Sequence, residues 1–190
     1  MRPPCPPASE ITEIVGRMSS GRTSLMCAWL AGITRGGGVA ALVDTDDAFD
    51  PMSAARAGVD LEHLLWVRCG GRRGAALRAT DVLVRRPGFT LVGLDAGERP
   101  PRLALDAAFR LKLAVRRTGA ALVVLTPRRI AGPGAALVIE AVQDALEWSG
   151  PAAPATRLDT LCTRLHLVRP PTTRHPRVAG VWPCTARFRA

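Results

Sequence analysis

The stretch Ile14-Val15-Gly16-Arg17-Met18-Ser19-Ser20-Gly21-Arg22-Thr23-Ser24 decides how this chain is read. An apolar run feeds Gly16, four residues intervene, and then Gly21, a basic residue and a hydroxyl residue open a second apolar segment. That is the frame of a phosphate-binding loop, GxxxxGK[ST], with Arg22 in the lysine place. Each piece has a physical reason. The glycines let the backbone curl with its N–H groups pointing inward, and the N-terminus of the following helix adds a positive dipole. A hydroxyl at Thr23 is placed to hold Mg²⁺. Arginine departs from the pattern, because guanidinium is larger and planar and prefers two parallel contacts where an ammonium is a compact point charge.

Outward from this loop, short apolar runs alternate with helix-like stretches. The pattern predicts strands at Ile11–Val15, Val39–Asp44, Leu64–Val67, Phe89–Asp95 and Ala120–Thr126. It predicts helices at Thr23–Thr34, Pro51–Ala57, Ala75–Arg85 and Arg102–Arg117. Continuous apolar strands in a β-α-β-α rhythm argue for a parallel sheet covered by helices on both faces. After Pro127 the rhythm changes. Arg128–Gly134 reads as a turn or mobile loop. Ala136–Trp148 reads either as one helix or as a short helix followed by a strand. Arg157–Val168 reads as a strand, Arg169–Pro176 as a rigid turn, and Arg177–Cys184 as a last edge strand, which makes an antiparallel extension of the sheet. The expected organisation is a flexible Pro-rich arm at 1–9, a single domain at 10–185 and a basic tail at 186–190.

Composition narrows the class. The chain has 190 residues and 47% apolar residues, enough for one globular domain with a core. Its net charge is +10, and Lys112 is its single lysine. Residues 151–190 hold seven arginines and one acid, Asp159, so that part points to a polyanion or an acidic protein as partner, or to a solvated tail. The five cysteines (Cys5, Cys27, Cys69, Cys162 and Cys184) are widely spaced without a CxxC, which argues against a disulfide framework or a zinc site. His63, His166 and His175 have no ligand spacing, so no metal centre is expected. Trp29 and Trp66 read as core or rim residues, and Trp148 and Trp182 as parts of a packed edge. No apolar stretch is long enough to span a bilayer and no signal peptide is readable, so the expected location is the cytoplasm, with no membrane partner.

A second cluster of residues makes a chance loop implausible. The next strand ends in Val43-Asp44-Thr45-Asp46-Asp47-Ala48-Phe49-Asp50-Pro51, followed by Gly58-Val59-Asp60 and by Leu64-Leu65. Order, spacing and several identities resemble bacterial RecA, whose phosphate loop reads GPESSGKTT and whose following strand ends in a D-A-E-H-A-L-D-P run. The resemblance is good over residues 11–70 and weaker to about 185. It implies a RecA-like core: α/β, mostly parallel, with antiparallel strands at the C-terminal edge.

The resemblance also assigns roles. Gly16, Ser19, Ser20, Gly21, Arg22, Thr23 and Ser24 take the phosphate-loop places. Asp46 falls where RecA has the glutamate that activates the attacking water; aspartate is one methylene shorter and sits about 1.5 Å back. Asp50 matches the aspartate near the adenine, and Asp95 the acidic strand end that holds Mg²⁺ through water. Thr126-Pro127 stand where RecA senses the γ-phosphate with an Asn-Gln pair. Arg128 and Arg129 follow a strand at the place where RecA meets DNA, which makes them candidates for DNA or partner contact. Against RecA, the resemblance leads to the expectation that the N-terminal docking helix, the long DNA loop after Asp95 and the C-terminal domain are absent and that the second DNA loop, between Pro127 and Ala135, is shortened.

Together these features resemble the ImuA group of RecA-related accessory proteins of SOS mutagenesis and translesion synthesis. The implied function is non-catalytic, acting in DNA damage tolerance through contacts with RecA and an ImuB-like homologue of Y-family polymerases, with single-stranded DNA as a further partner. The site would be vestigial and no cofactor is expected; ATP with Mg²⁺ is the ligand that the loop frame would admit. Three rivals stand beside this reading: a weak DNA-dependent ATPase or recombinase paralogue, a basic single-strand DNA binder, and a cell-division inhibitor of the SulA kind.

Overall fold

The computed structural model describes residues 5–100, 103–150, 157–169 and 184–189. Its strands are β1 (Ile11–Val15), β2 (Val39–Asp44), β3 (Leu64–Arg68), β4 (Phe89–Asp95), β5 (Ala121–Thr126), β6 (Leu137–Ser149), β7 (Arg157–Arg169) and β8 (Cys184–Arg189). Its α-helices are α1 (Arg22–Thr34), α2 (Pro51–Arg56), α3 (Arg73–Val84) and α4 (Leu105–Thr118). The strands form one eight-stranded sheet in the order β3-β2-β4-β5-β1-β6-β7-β8. All pairs from β3 to β6 are parallel, and β7 and β8 are antiparallel additions at the far edge. The α/β class and the antiparallel C-terminal edge are as the sequence predicts.

Alternation along the buried strands supplies both faces of the sheet with apolar side chains. Ala41, Val43, Val92, Leu94, Leu122 and Val124 face α3 and α4, packing with Val84, Leu111 and Val115. Ala40, Leu42, Leu91, Val123 and Leu125 face the other way, against Leu25, Met26, Trp29 and Leu30 of α1. Complete burial of each Leu, Ile or Val contributes roughly 1.5–3 kcal/mol. Gly93 lets α1 come close: a Cβ there would sit 2.9 Å from Met26 Cε. Local signals set the helix ends. Asp50 caps α2 by accepting from the amides of Met52 and Ser53, with Pro51 in the first turn. Gly119, at φ 83°, closes α4 with its N–H on Val115 O.

Several expectations need correction. Ala136–Trp148 contains no helix; it lies almost wholly in the single long strand β6. Of the two readings of Arg128–Gly134 the turn holds: Gly132–Gly134 forms a 3₁₀ turn, and Ile130, Ala131 and Gly134 are buried. The buried Glu13 carboxylate holds this segment by accepting from the amides of Ile130 (2.5 Å) and Ala131 (3.0 Å). The N-terminal arm is packed by Pro6, where Pro6 and Pro7 are buried and Ser9 N–H bonds Ala120 O. β8 runs Cys184–Arg189, so most of the expected basic tail, 186–190, is strand, whereas the edge strand expected at Arg177–Cys184 lies outside the described residues except for Cys184. The turn expected at 169–176 lies almost wholly outside the described residues, as do Arg102 and Trp182.

Among the described residues no helix is long and apolar enough to cross a membrane. Cys69 and Cys162 are buried free thiols, and burial pushes the half-buried Cys27 thiol up to about 11.

Candidate phosphate-binding site

The loop from Gly16 to Gly21 leaves the carboxyl end of β1, between β5 and β6 in the sheet. Ligands of open α/β sheets bind in such crevices. Its conformation needs its glycines. A Cβ on Gly16 would fall 2.3 Å from Ser20 Oγ and 2.8 Å from Ala141 O. Gly21 has φ 88° and stands directly before α1. Ser19 also lies in the left-handed region, with φ 60°.

A cleft of about 340 Å³ is lined by Met18, Ser19, Gly21, Arg22, Thr23 and Ser24 of the loop and helix, by Asp46 and Ala48 after β2, by Asp95, Gly97 and Glu98 after β4, and by Leu161 of β7. The structure therefore gathers most of the predicted set in one place: Ser19, Gly21, Arg22, Thr23, Ser24, Asp46 and Asp95. Gly16 and Ser20 lie behind the loop, where they line a second cleft with Pro127 and β6. Asp50 does not line either cleft; its carboxylate is spent on capping α2 and on Ser53 Oγ.

Arg22 is the one basic side chain among the residues that line the cleft, against the carboxyls of Asp46, Asp95 and Glu98. Arg22 is nearly buried, at 8% side-chain exposure, and donates from Nη1 to Gly16 O at 2.5 Å. Its Nη2 forms an ion pair with Glu98, whose side chain is 43% exposed. The Glu98 amide in turn donates to Asp46 Oδ2 at 3.2 Å, and a Cβ on Gly97 would fall 2.2 Å from that same oxygen. The Gly97–Glu98 turn thus lies against Asp46 while its carboxylate lies against Arg22. Burial pushes the Asp95 carboxyl above the usual carboxylate range, opposed by the Gly97 amide and by Arg22. Thr23 is exposed at the cleft.

The backbone frame is that of a phosphate cradle, but the side chains as arranged do not fit a triphosphate. Both terminal nitrogens of Arg22 are engaged by the chain itself, Nη1 by Gly16 O and Nη2 by the Glu98 carboxylate. Thr126 and Pro127 offer no amide side chains; Thr126 Oγ1 instead donates to Arg128 O. Arg128 is tied to Pro100 O, whereas Arg129 is exposed.

Sequence reasoning missed three residues. Glu98 had a weak signal, as an acid three residues past a strand-end aspartate. Thr163 and Leu161 had none, because their places at the loop depend on how β7 docks. Asp44 is a fourth acid of the region, but a structural one: buried, it accepts from the amides of Ala48 and Phe49 and from Trp66 Nε1.

A phosphate loop at the end of β1, acids at the ends of β2 and β4, and this strand order define a RecA-fold α/β domain with an altered nucleotide cleft. The model of the RecA N-terminal domain matches residues 5–102, and the chain belongs to that family. It is 42% identical over 90 residues to Protein RecA of Prochlorococcus marinus strain NATL1A, a stretch that makes up 47% of this chain and 24% of that protein. Protein RecA of Synechococcus sp. strain WH7803 is 41% identical over 90 residues, 47% of this chain and 23% of that one. The matched region thus spans about a quarter of these relatives. The crystal structure of the RadB recombinase has the same fold, with a TM-score of 0.65 over 97% of this chain and 88% of that chain at 16% identity.

Proposed function

We propose that this chain is a non-catalytic RecA-like accessory protein of the ImuA kind, serving damage-induced translesion synthesis. It acts by contacts with RecA and with an ImuB-like polymerase subunit, in the cytoplasm, and turns over no ATP. The observation that carries this reading is the engagement of Arg22 by Gly16 O and Glu98. The basic group of the phosphate loop is committed to the protein, and phosphoryl transfer tolerates little misplacement of its charges. The shorter Asp46, pinned beneath the Glu98 amide, and Pro127 at the γ-phosphate-sensing place point the same way.

A core shared with RecA lets one face dock on a filament end, so the chain caps or borders a filament. The test pairs ATP turnover in the presence of single-stranded DNA with RecA strand exchange and filament length at stoichiometric excess of this protein. The expected result is no turnover and shorter filaments. Turnover, or no effect on RecA, would sink the proposal.

The second reading, an ATPase or recombinase paralogue, draws on Thr23, Asp46 and Asp95 still sharing one cleft with the loop. Under it, Arg22→Ala abolishes turnover; under the first reading that substitution leaves the action on RecA intact.

A further inference from the structure

We propose that Glu98 is a built-in anionic ligand of the phosphate loop, holding on Arg22 the place a phosphate would take, so that the cleft is closed to phosphate-bearing ligands by one removable carboxylate. This rests on reading the cleft as a nucleotide site no longer used for catalysis, and it explains how the site was shut without being filled in.

Three observations carry it. First, the cradle survives: Gly16, Ser19 and Gly21 keep the tight, left-handed backbone that a loop of this kind needs, and about 340 Å³ of space stays in front of it. None of the residues that line that space belongs to either core cluster. Second, Arg22 and Glu98 are an asymmetric pair. The guanidinium is nearly buried and anchored on Gly16 O, whereas the carboxylate is 43% exposed and reaches in from the surface. The arginine is therefore the fixed member and the glutamate the removable one. Third, Glu98 is aimed by its own backbone: its amide donates to Asp46, and the tight fit of Gly97 against that same carboxylate fixes the turn. A carboxylate oxygen takes the same charge-assisted hydrogen bond from a guanidinium as a phosphate oxygen, and Glu98 Oε1 takes it from Arg22 Nη2. It also repels any second anion entering the cleft, at a separation where charges interact strongly in a partly desolvated site.

The experiment is calorimetric titration of the whole chain with inorganic pyrophosphate, and separately with ATP and Mg²⁺. It compares the wild type with Glu98→Gln, Glu98→Ala and the double variant Arg22→Ala/Glu98→Ala. Glutamine keeps the size and removes the charge; alanine removes both. Glu98 is substantially exposed, and an unchanged thermal midpoint without ligand establishes that the variants fold. The expected result is affinity for pyrophosphate at least about tenfold tighter in both single variants than in the wild type, the scale of one charge-assisted hydrogen bond. A ligand-dependent rise in their Tm should accompany it, and both gains should vanish in the double variant. Equal affinity in wild type and single variants, no binding in any of them, or a gain that survives loss of Arg22 would each overturn the proposal. None of these outcomes decides whether the wild type is catalytic; ATP turnover by the wild type does that separately.

Discussion

Thr163 of β7 presses against Gly21 at the start of α1, so closely that a Cβ on the glycine would fall 1.9 Å from Thr163 Oγ1. The antiparallel edge of the sheet thereby braces the phosphate loop from outside. Gly21→Ala incurs both the left-handed backbone penalty at φ 88° and this overlap, so it should cost about 2–4 kcal/mol. Thr163→Ala should change stability little, since Thr163 Oγ1 is buried without a hydrogen-bond partner among the described residues. In the double variant part of the Gly21→Ala cost should return, giving a coupling of about 1–2 kcal/mol in urea unfolding. Strict additivity would mean that β7 does not brace the loop.

Glu13 gives a second prediction. Its buried carboxylate is the acceptor for both Ile130 and Ala131 amides. Glu13→Ala leaves two buried N–H groups unpaired and should destabilise by about 2–4 kcal/mol. Native-state hydrogen exchange at Ile130 and Ala131 should rise more than the global loss accounts for. Glu13→Gln, which keeps an acceptor oxygen, should retain most of the protection. Equal exchange in both variants would place the anchor of this segment elsewhere.

These two relationships mark where the sequence stopped being legible. β1, β2 and β4 were readable to the residue, because strands buried on both faces appear as apolar runs bounded by Gly, Pro and Asp. β6 was not. Its pairing with β7 shifts register at Val138/Ile139, Gln143/Ala145 and Glu147/Trp148, and each shift breaks the period-two alternation that marks a strand. What remains in Ala141–Trp148 is a helix-like composition overridden by pairing with β7. Within the site, the loop glycines followed from spacing, and the acids Asp46 and Asp95 from the resemblance. Asp50 was drawn toward a nucleotide by resemblance, although a capping aspartate before Pro51 had a plain local meaning. Glu98 had only its place three residues past Asp95 as a signal, because its role depends on a turn that folds it back on Arg22.

Asp95 predicts a pH dependence. Burial raises its carboxyl above the ordinary range, so the folded state disfavours its charged form. Its contribution to stability is therefore fully present below the ordinary aspartate range and is lost as pH rises through the raised folded value. Asp95→Asn keeps an acceptor for the Gly97 amide and removes the titration. The variant should match the wild type at low pH, gain on it across that window, and keep a constant advantage above it. Urea midpoints measured across the acidic range check this; a constant difference at every pH would mean that Asp95 titrates alike in both states.

Arg129 tests whether the rim beyond β5 meets nucleic acid. It is exposed, with no hydrogen bond or ion pair among the described residues, whereas its neighbour Arg128 is held on Pro100 O at 2.7 Å. A guanidinium free of internal partners can neutralise a phosphate without first giving up a contact, and each phosphate neutralised on a single strand adds about 0.7 to the slope of log affinity against log salt. Arg129→Ala should therefore weaken binding of a single-stranded oligonucleotide about equally for all sequences and lower that slope by about 0.7. Arg128→Ala should weaken it too, but with a fall in Tm, because it also frees the Pro100 carbonyl. An unchanged slope in Arg129→Ala would remove nucleic acid from this rim and leave its exposed charge to an acidic protein surface.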